Sequence, residues 1–64
     1  MKFHYRDKVK VIGGFYMNSI CIVRSVVEYG IIFKKYKYIV NDEDKEYGFK
    51  NEWFWEENLE KLEE

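Results

Sequence analysis

The sequence predicts an all-β fold, a small barrel of five strands that forms a single domain over residues 1–64. Three observations support this prediction. With 64 residues, 47% of them apolar, and a net charge of -1, the chain can build one small core and lacks the charge excess typical of disorder. Alanine is absent and leucine is rare, whereas Ile, Val, Tyr, Phe and Trp, which suit a pleated sheet, dominate the apolar set. Apolar and polar residues also alternate with the period of two that half-buried strands show.

The first two predicted strands are separated by a glycine turn. In Lys8-Val9-Lys10-Val11 the valines are expected to face the core and the lysines to face solvent. Gly13-Gly14 ends this strand, because glycine adopts positive φ without strain, and residues 15–19 form a loop. The second strand is predicted from Ile20 to about Val27.

The third strand, residues 31–40, is predicted to be the longest and to follow a turn at residues 28–30. Its alternation puts Lys35, Lys37 and Ile39 on one face, and the other face carries Tyr36, Tyr38 and Val40. The polar residues 41–45 that follow are interpreted as a solvated hairpin tip. A divalent-ion loop is the alternative, but the stretch lacks the glycine and the bidentate glutamate of calcium loops.

A fourth strand is predicted over residues 47–55, with Trp53 and Trp55 on one face and Phe54 on the other. Residues 56–58 form a turn. A short closing strand over residues 59–64 is favoured over a short helix, because so short a segment is unstable as an isolated helix and its acidic end opposes the helix dipole.

Composition also indicates a compartment and an origin. Cys21 is the only cysteine, whereas small secreted domains usually carry several disulfides. Residues 1–10 are charged and contain no apolar signal core. No apolar run approaches the roughly 18 residues that cross a bilayer. We therefore expect a cytoplasmic protein with no membrane association. Residue types with AT-rich codons make up half of the chain, which suggests a low-GC bacterium or, for so small a stand-alone domain, its phage.

The segment from Asp7 to Ile22 resembles the KOW motif of SH3-like barrels in ribosomal proteins and transcription elongation factors. The matching residues are Asp7, Val9, Val11, Gly14 and Ile22, and the family's glycines are replaced by Arg6, Met17 and Ile20. The segment from Trp55 to Glu60 is similar to the last turn and strand of such barrels. The resemblance implies an SH3-like barrel and binding to nucleic acid or ribonucleoprotein. Small phage proteins with a Gly-Phe-Tyr turn and a terminal Asn-Leu-Glu also look similar, which implies host interaction or anti-defence activity.

The sequence shows no arrangement of residues suited to catalysis. His4 is the only imidazole and has no evident partner for acid–base chemistry. Cys21 lies within a predicted strand, where a cysteine is usually a small core residue. One Cys and one His cannot supply the four ligands of a zinc site. Gly13-Gly14 lacks the Gly-Lys-Ser/Thr of a phosphate loop. We therefore expect no enzyme activity, no cofactor and no metal.

Two sets of side chains are candidates for binding. Thirteen aromatic residues are more than so small a core readily buries, so some are expected at a protein interface. This protein-binding set consists of Phe15, Tyr16, Met17, Trp53, Phe54 and Trp55, and the acidic tip Asp42, Glu43 and Asp44 would steer the partner. An aromatic groove for a proline-rich peptide and a cage for methylated lysine are two forms it could take.

The alternative set is basic and consists of Lys8, Lys10, Lys34, Lys35 and Lys37, with Tyr36 and Tyr38 between them. Lysines neutralise phosphates and aromatic rings stack on bases. Against nucleic-acid binding, these lysines and tyrosines alternate between opposite faces, and the pI of 5.8 is low for such a domain. Charge is also uneven along the chain, with a net +6 over residues 1–38 and -7 over residues 39–64. The fold either separates these halves into two surfaces or interleaves them.

The sequence thus predicts a non-catalytic protein-binding module, and we favour a phage protein that binds and inhibits a host factor or defence system. The first alternative is nucleic-acid or ribonucleoprotein binding through the basic set. The second is a structural phage component that acts as an oligomer, held together by an unpaired strand edge or an aromatic patch. The chain is expected to be a monomer or a small homo-oligomer.

Overall fold

Five antiparallel strands form a single sheet, and the all-β prediction is confirmed. The structure, a computed structural model, describes residues 1–62. The strands are β1 (Lys8–Val11), β2 (Ile20–Tyr29), β3 (Lys35–Asp42), β4 (Glu52–Trp55) and β5 (Leu59–Lys61), and a 3-10 helix (Glu56–Asn58) joins the last two. Their order in the sheet is β4-β3-β2-β1-β5. A turn followed by a short closing strand is therefore present. The strand ends at Lys61, so that Leu62 lies beyond it, and the last two residues predicted for it, 63 and 64, lie outside the described residues.

One face of the sheet builds the core. Val9 and Val11 of β1 are buried, as their alternation with lysines predicts. The buried side chains are Phe3, Val9, Val11, Cys21, Val23, Tyr38, Val40 and Leu59. Leu59 comes from one edge strand, and Phe54 from the other edge packs against the same cluster. The sheet therefore curves around a single core.

Cys21 is part of this core, as the strand pattern predicts. Its side chain is buried. Burial, reinforced by the nearby Asp42 carboxylate, raises the pKa of the Cys21 thiol to about 12. Because the thiolate is the reactive form of cysteine, Cys21 acts as a small apolar residue in this fold.

A β-bulge interrupts β2 halfway along its length. The pairing of β2 with β3 shifts between Val23 and Ser25, which leaves Arg24 as the extra residue. Cys21 and Val23 face the core before the bulge, and Val26 packs against the core after it. The alternation of inward and outward residues therefore changes phase at Arg24.

The predicted bounds of the third strand, residues 31–40, were wrong at both ends. β2 continues to Tyr29, which pairs with Lys35, and β3 runs on to Asp42, so that residues 30–34 form the connecting loop. Gly30 has a φ of 96°. A Cβ atom at this position would lie 2.3 Å from the Phe33 carbonyl oxygen. The chain therefore turns at Gly30. Residues 31–33 lie in the loop, although their apolar pattern is the one expected of a buried strand.

The predicted fourth strand begins later than residue 47. The Asp44 side chain accepts hydrogen bonds from the N–H groups of Glu46 and Tyr47, both at 3.0 Å. The Gly48 N–H donates to the Asp44 carbonyl at 3.0 Å. These bonds form a compact turn, and β4 starts only at Glu52. Residues 1–62 contain no helix with the length and apolar character needed to cross a membrane.

Candidate binding surfaces

The outward face of β2, β3 and β4 gathers three aromatic rings and two lysines. The register places Lys35 opposite Tyr29 and Lys37 opposite Trp55. Trp53 is two residues from Trp55 and therefore shares its face, as the sequence predicts. We call this surface the aromatic–lysine face; it consists of Tyr29, Lys35, Lys37, Trp53 and Trp55.

The rings of this face hold one another in place. The Trp53 and Trp55 rings lie 5.5 Å apart at an interplanar angle of 83°, and the Tyr29 ring lies 5.7 Å from that of Trp55. Such edge-to-face contacts are favourable beyond the area they bury. Trp53 nevertheless remains 48% exposed. The face thus presents large, ordered rings to solvent.

Both lysines of the face lie over its rings. The Lys37 ammonium is 4.9 Å from the centre of the Trp53 ring and 5.2 Å from that of Tyr29. The Lys35 ammonium is 5.2 Å from the Trp55 ring. Cation–π contacts of this kind orient the lysines and keep positive charge beside the aromatic area. Lys37 also occupies the place that a methylated lysine would take in an aromatic cage, so an external cation would have to displace it.

An exposed apolar segment adjoins this face, and the sequence reasoning missed it. Ile31, Ile32 and Phe33 in the β2–β3 loop are 93%, 84% and 88% exposed. We call residues 31–33 the apolar tip. Three consecutive bulky apolar side chains in water are unusual for a protein surface without a partner. Gly30 was the available signal for a loop at this position, since the apolar run alone is equally compatible with a buried strand.

The structure separates the predicted protein-binding set. Trp53 and Trp55 lie on the aromatic–lysine face, whereas Phe54 points to the core side. Tyr16 is also half-buried there, with its ring 4.5 Å from that of Phe49 and 6.1 Å from that of Phe54. Phe15 and Met17 are exposed on the loop between β1 and β2. The six residues therefore do not form one surface.

The predicted acidic tip uses part of its charge locally. The half-buried Asp42 accepts a hydrogen bond from the Asp44 N–H at 2.8 Å. Asp44 in turn caps the turn that follows it, as described above. The Glu43 carboxylate lies 3.2 Å from the Lys8 ammonium. Steering by these carboxylates stays a prediction.

The predicted basic set is also divided. Lys8 and Lys10 lie on β1, which β2 separates from Lys35 and Lys37 on β3. Lys34 forms an ion pair with Glu28 at 3.3 Å. The five lysines therefore do not form a continuous track of the kind that follows a phosphate backbone.

A second group of cations surrounds Tyr5 on the β1 side of β2. The Arg6 and Arg24 guanidinium groups lie 5.3 Å and 5.8 Å from the Tyr5 ring. A hydrogen bond from Arg6 and the charge of Arg24 lower the pKa of the Tyr5 hydroxyl. A surface pocket of about 570 Å³ adjoins both arginines and is completed by Ile22, Asn41, Asp42, Glu43, Lys45 and Lys50. The mixed charges of this pocket indicate no particular ligand.

The structure also shows the surroundings of the single histidine and the grouping of possible metal ligands. His4 lies on the surface, with its Nδ1 3.9 Å from the Asp7 carboxylate. Among residues 1–62, no three His, Cys, Asp or Glu side chains are grouped closely enough to hold a metal ion. No protein-family model matches the chain, and no curated protein or solved structure matches it.

Proposed function

We propose that this protein is a non-catalytic protein-binding module and that the aromatic–lysine face is its contact surface. The observation that carries the proposal is the perpendicular pair Trp53 and Trp55, held on an outward sheet face with Tyr29 beside it. Tryptophan and tyrosine are preferred anchors of protein interfaces because they bury much area with few rotatable bonds. Since these rings are already ordered, binding would sacrifice little side-chain entropy.

The lysines of the face define the chemistry of the partner. Lys35 and Lys37 keep positive charge beside the exposed rings. A partner surface with apolar or proline side chains flanked by a carboxylate would complement both features. The SH3-like barrel and the role of a phage inhibitor of a host factor belong to the same proposal. Five antiparallel strands in so small a chain support the first, and the AT-rich residue usage supports the second.

Nucleic-acid binding is the second candidate. It is favoured by one observation, that lysines and aromatic rings share the aromatic–lysine face although they alternate along β3 itself. The divided basic set and the lysines lying over the rings weigh against it, because stacking bases would have to displace those ammonium groups.

A pull-down from lysate of a low-GC bacterium tests the proposal. We expect the tagged protein to retain one stoichiometric protein after nuclease treatment and the Trp53→Ala variant to lose it. Tyr5→Ala is the matched control, because Tyr5 is an exposed aromatic residue on the β1 side of β2. Circular dichroism shows whether each variant is folded. Equal retention by the wild type and Trp53→Ala would refute the proposed surface, and loss of every partner with nuclease would favour the nucleic-acid candidate.

A further inference from the structure

The long hairpin of β2 and β3 gives the molecule two distinct ends. These strands pair from Cys21 and Asp42 at one end to Tyr29 and Lys35 at the other. The apolar tip lies at the second end. The first end carries the loop before β2 and the turn after β3, which the Glu43 N–H joins by a 2.8 Å hydrogen bond to the Ile20 carbonyl. The longest dimension of the molecule is 39 Å. The paired length of the hairpin keeps the two ends apart within one chain.

The end with the apolar tip is basic. Residues 28–37 contain Lys34, Lys35 and Lys37 against Glu28, a net charge of +2. Lys34 directly follows the tip, and Glu28 pairs with it. Three largely exposed apolar side chains therefore lie beside a net positive charge, which comes from Lys35 and Lys37.

The opposite end combines exposed apolar side chains with negative charge. Phe15 is 95% exposed, Tyr47 is 84% exposed and Met17 is 56% exposed. Residues 42–50 contain four acidic residues against Lys45 and Lys50, a net charge of -2, which Lys8 beside Glu43 reduces to -1. We call this region, residues 15–17 and 42–50, the acidic end.

We propose that the apolar tip of one copy docks on the acidic end of another copy, so that chains associate head to tail. Each end exposes apolar area that association would remove from water. The net charges of the two ends are opposite in sign, whereas two tips or two acidic ends brought together would repel. Because the two surfaces differ, this contact is heterologous and continues into rings or filaments rather than stopping at a dimer. The apolar contact uses residues outside the aromatic–lysine face, although Lys35 and Lys37 of that face contribute the positive charge, so the proposal goes beyond the protein-binding function above.

Two variants, each lacking one end, provide the test. The tip variant carries Ile31→Ser and Phe33→Ser, and the end variant carries Phe15→Ser and Tyr47→Ser. All four side chains are exposed, so both variants should keep the fold. Sedimentation velocity across about a hundredfold range of concentration measures assembly, because mass action drives association.

Head-to-tail docking predicts a distinctive pattern. The wild type and the control Tyr5→Ala should grow beyond a dimer as concentration rises. Each variant alone should remain at the monomer mass of 7.9 kDa, with association weakened by about tenfold or more. An equal mixture of the two variants should form dimers that grow no further, since only one productive pair of ends is left. Added salt should weaken the wild-type assembly.

Three results would overturn the proposal. A wild type that stays monomeric over the whole range would leave the two ends to a different partner. An end variant that assembles as well as the wild type would indicate contact between two tips. A mixture that remains monomeric would show that the two ends do not bind each other.

Discussion

The Tyr38 hydroxyl donates a hydrogen bond to the Glu56 carboxylate and thereby joins the core to the 3-10 helix before β5. The same hydroxyl accepts from the N–H groups of Lys2 and Phe3, at 3.2 Å and 3.3 Å. Glu56 also accepts from the Lys2 N–H at 3.0 Å. A single buried ring therefore ties the N-terminal residues, β3 and the last turn together.

Tyr38→Phe removes this hydroxyl while it preserves the ring that packs on Phe3. The Phe3 N–H loses its partner in a buried position, so we expect the free energy of unfolding to fall by about 1–3 kcal/mol. Urea unfolding followed by fluorescence measures the change. Tyr36→Phe on the same strand is the control, since its hydroxyl makes no hydrogen bond within residues 1–62. Equal stability of the two variants would contradict the role of Tyr38.

The Glu56 carboxylate should make the free energy of unfolding depend on pH. Burial alone would raise the pKa of the Glu56 carboxyl, but the hydrogen bonds from Tyr38 and the Lys2 N–H outweigh it and lower the pKa. A lowered folded-state pKa adds stability above the unfolded-state value, and this stability is lost as pH falls through the folded-state value. Glu56→Gln should therefore unfold with a weaker dependence on pH on the acid side of neutrality. Urea titrations at several pH values measure this dependence, with Glu57→Gln as the control. The same pH profile for Glu56→Gln and the wild type would contradict a role of the Tyr38–Glu56 hydrogen bond.

Gly30→Ala should be more damaging than Gly14→Ala. Both glycines have positive φ, 96° at Gly30 and 83° at Gly14, so both substitutions introduce backbone strain. At Gly30 the added Cβ would also meet the Phe33 carbonyl at 2.3 Å, whereas at Gly14 nothing lies within 4 Å. We expect the thermal midpoint of Gly30→Ala to lie below that of Gly14→Ala. The reverse order would mean that the loop between β2 and β3 rearranges without penalty.

The Cys21 thiol should not react with thiol reagents in the folded protein. Its side chain is buried and its pKa is raised to about 12, so very little thiolate exists near neutral pH. A colorimetric disulfide reagent should react only as the protein unfolds, with a rate that rises with urea. Rapid stoichiometric reaction in buffer would show that this part of the core opens readily.

Local patterns predicted the parts of the fold that depend on neighbours in sequence. The alternation in Lys8–Val11 and the shared face of Trp53 and Trp55 follow from the period of two alone. The placement of Lys37 between the rings of Tyr29 and Trp53 depends on the register of three strands. No pattern in the sequence encodes that register directly.

The apolar tip shows that a local pattern can also predict the wrong environment for a segment. Residues 31–33 have the composition of a buried strand, yet the turn at Gly30 carries them into solvent. Apolar composition shows that a segment favours burial, and the fold determines whether it is buried in the core of the same chain or is left available to another molecule. The candidate site was therefore only partly visible in the sequence.

The bulge at Arg24 divides β2 into two segments in which inward and outward residues alternate in opposite phase. Before it, odd-numbered residues such as Cys21 and Val23 point inward, and after it Tyr29 lies outward beside Trp55. If β2 ran through Arg24 without the bulge, the odd-numbered residues after it would continue to face inward. Tyr29 would then turn towards the interior and the outer surface would lose its third ring. A one-residue irregularity in the backbone thus determines which side of the strand is available to other molecules.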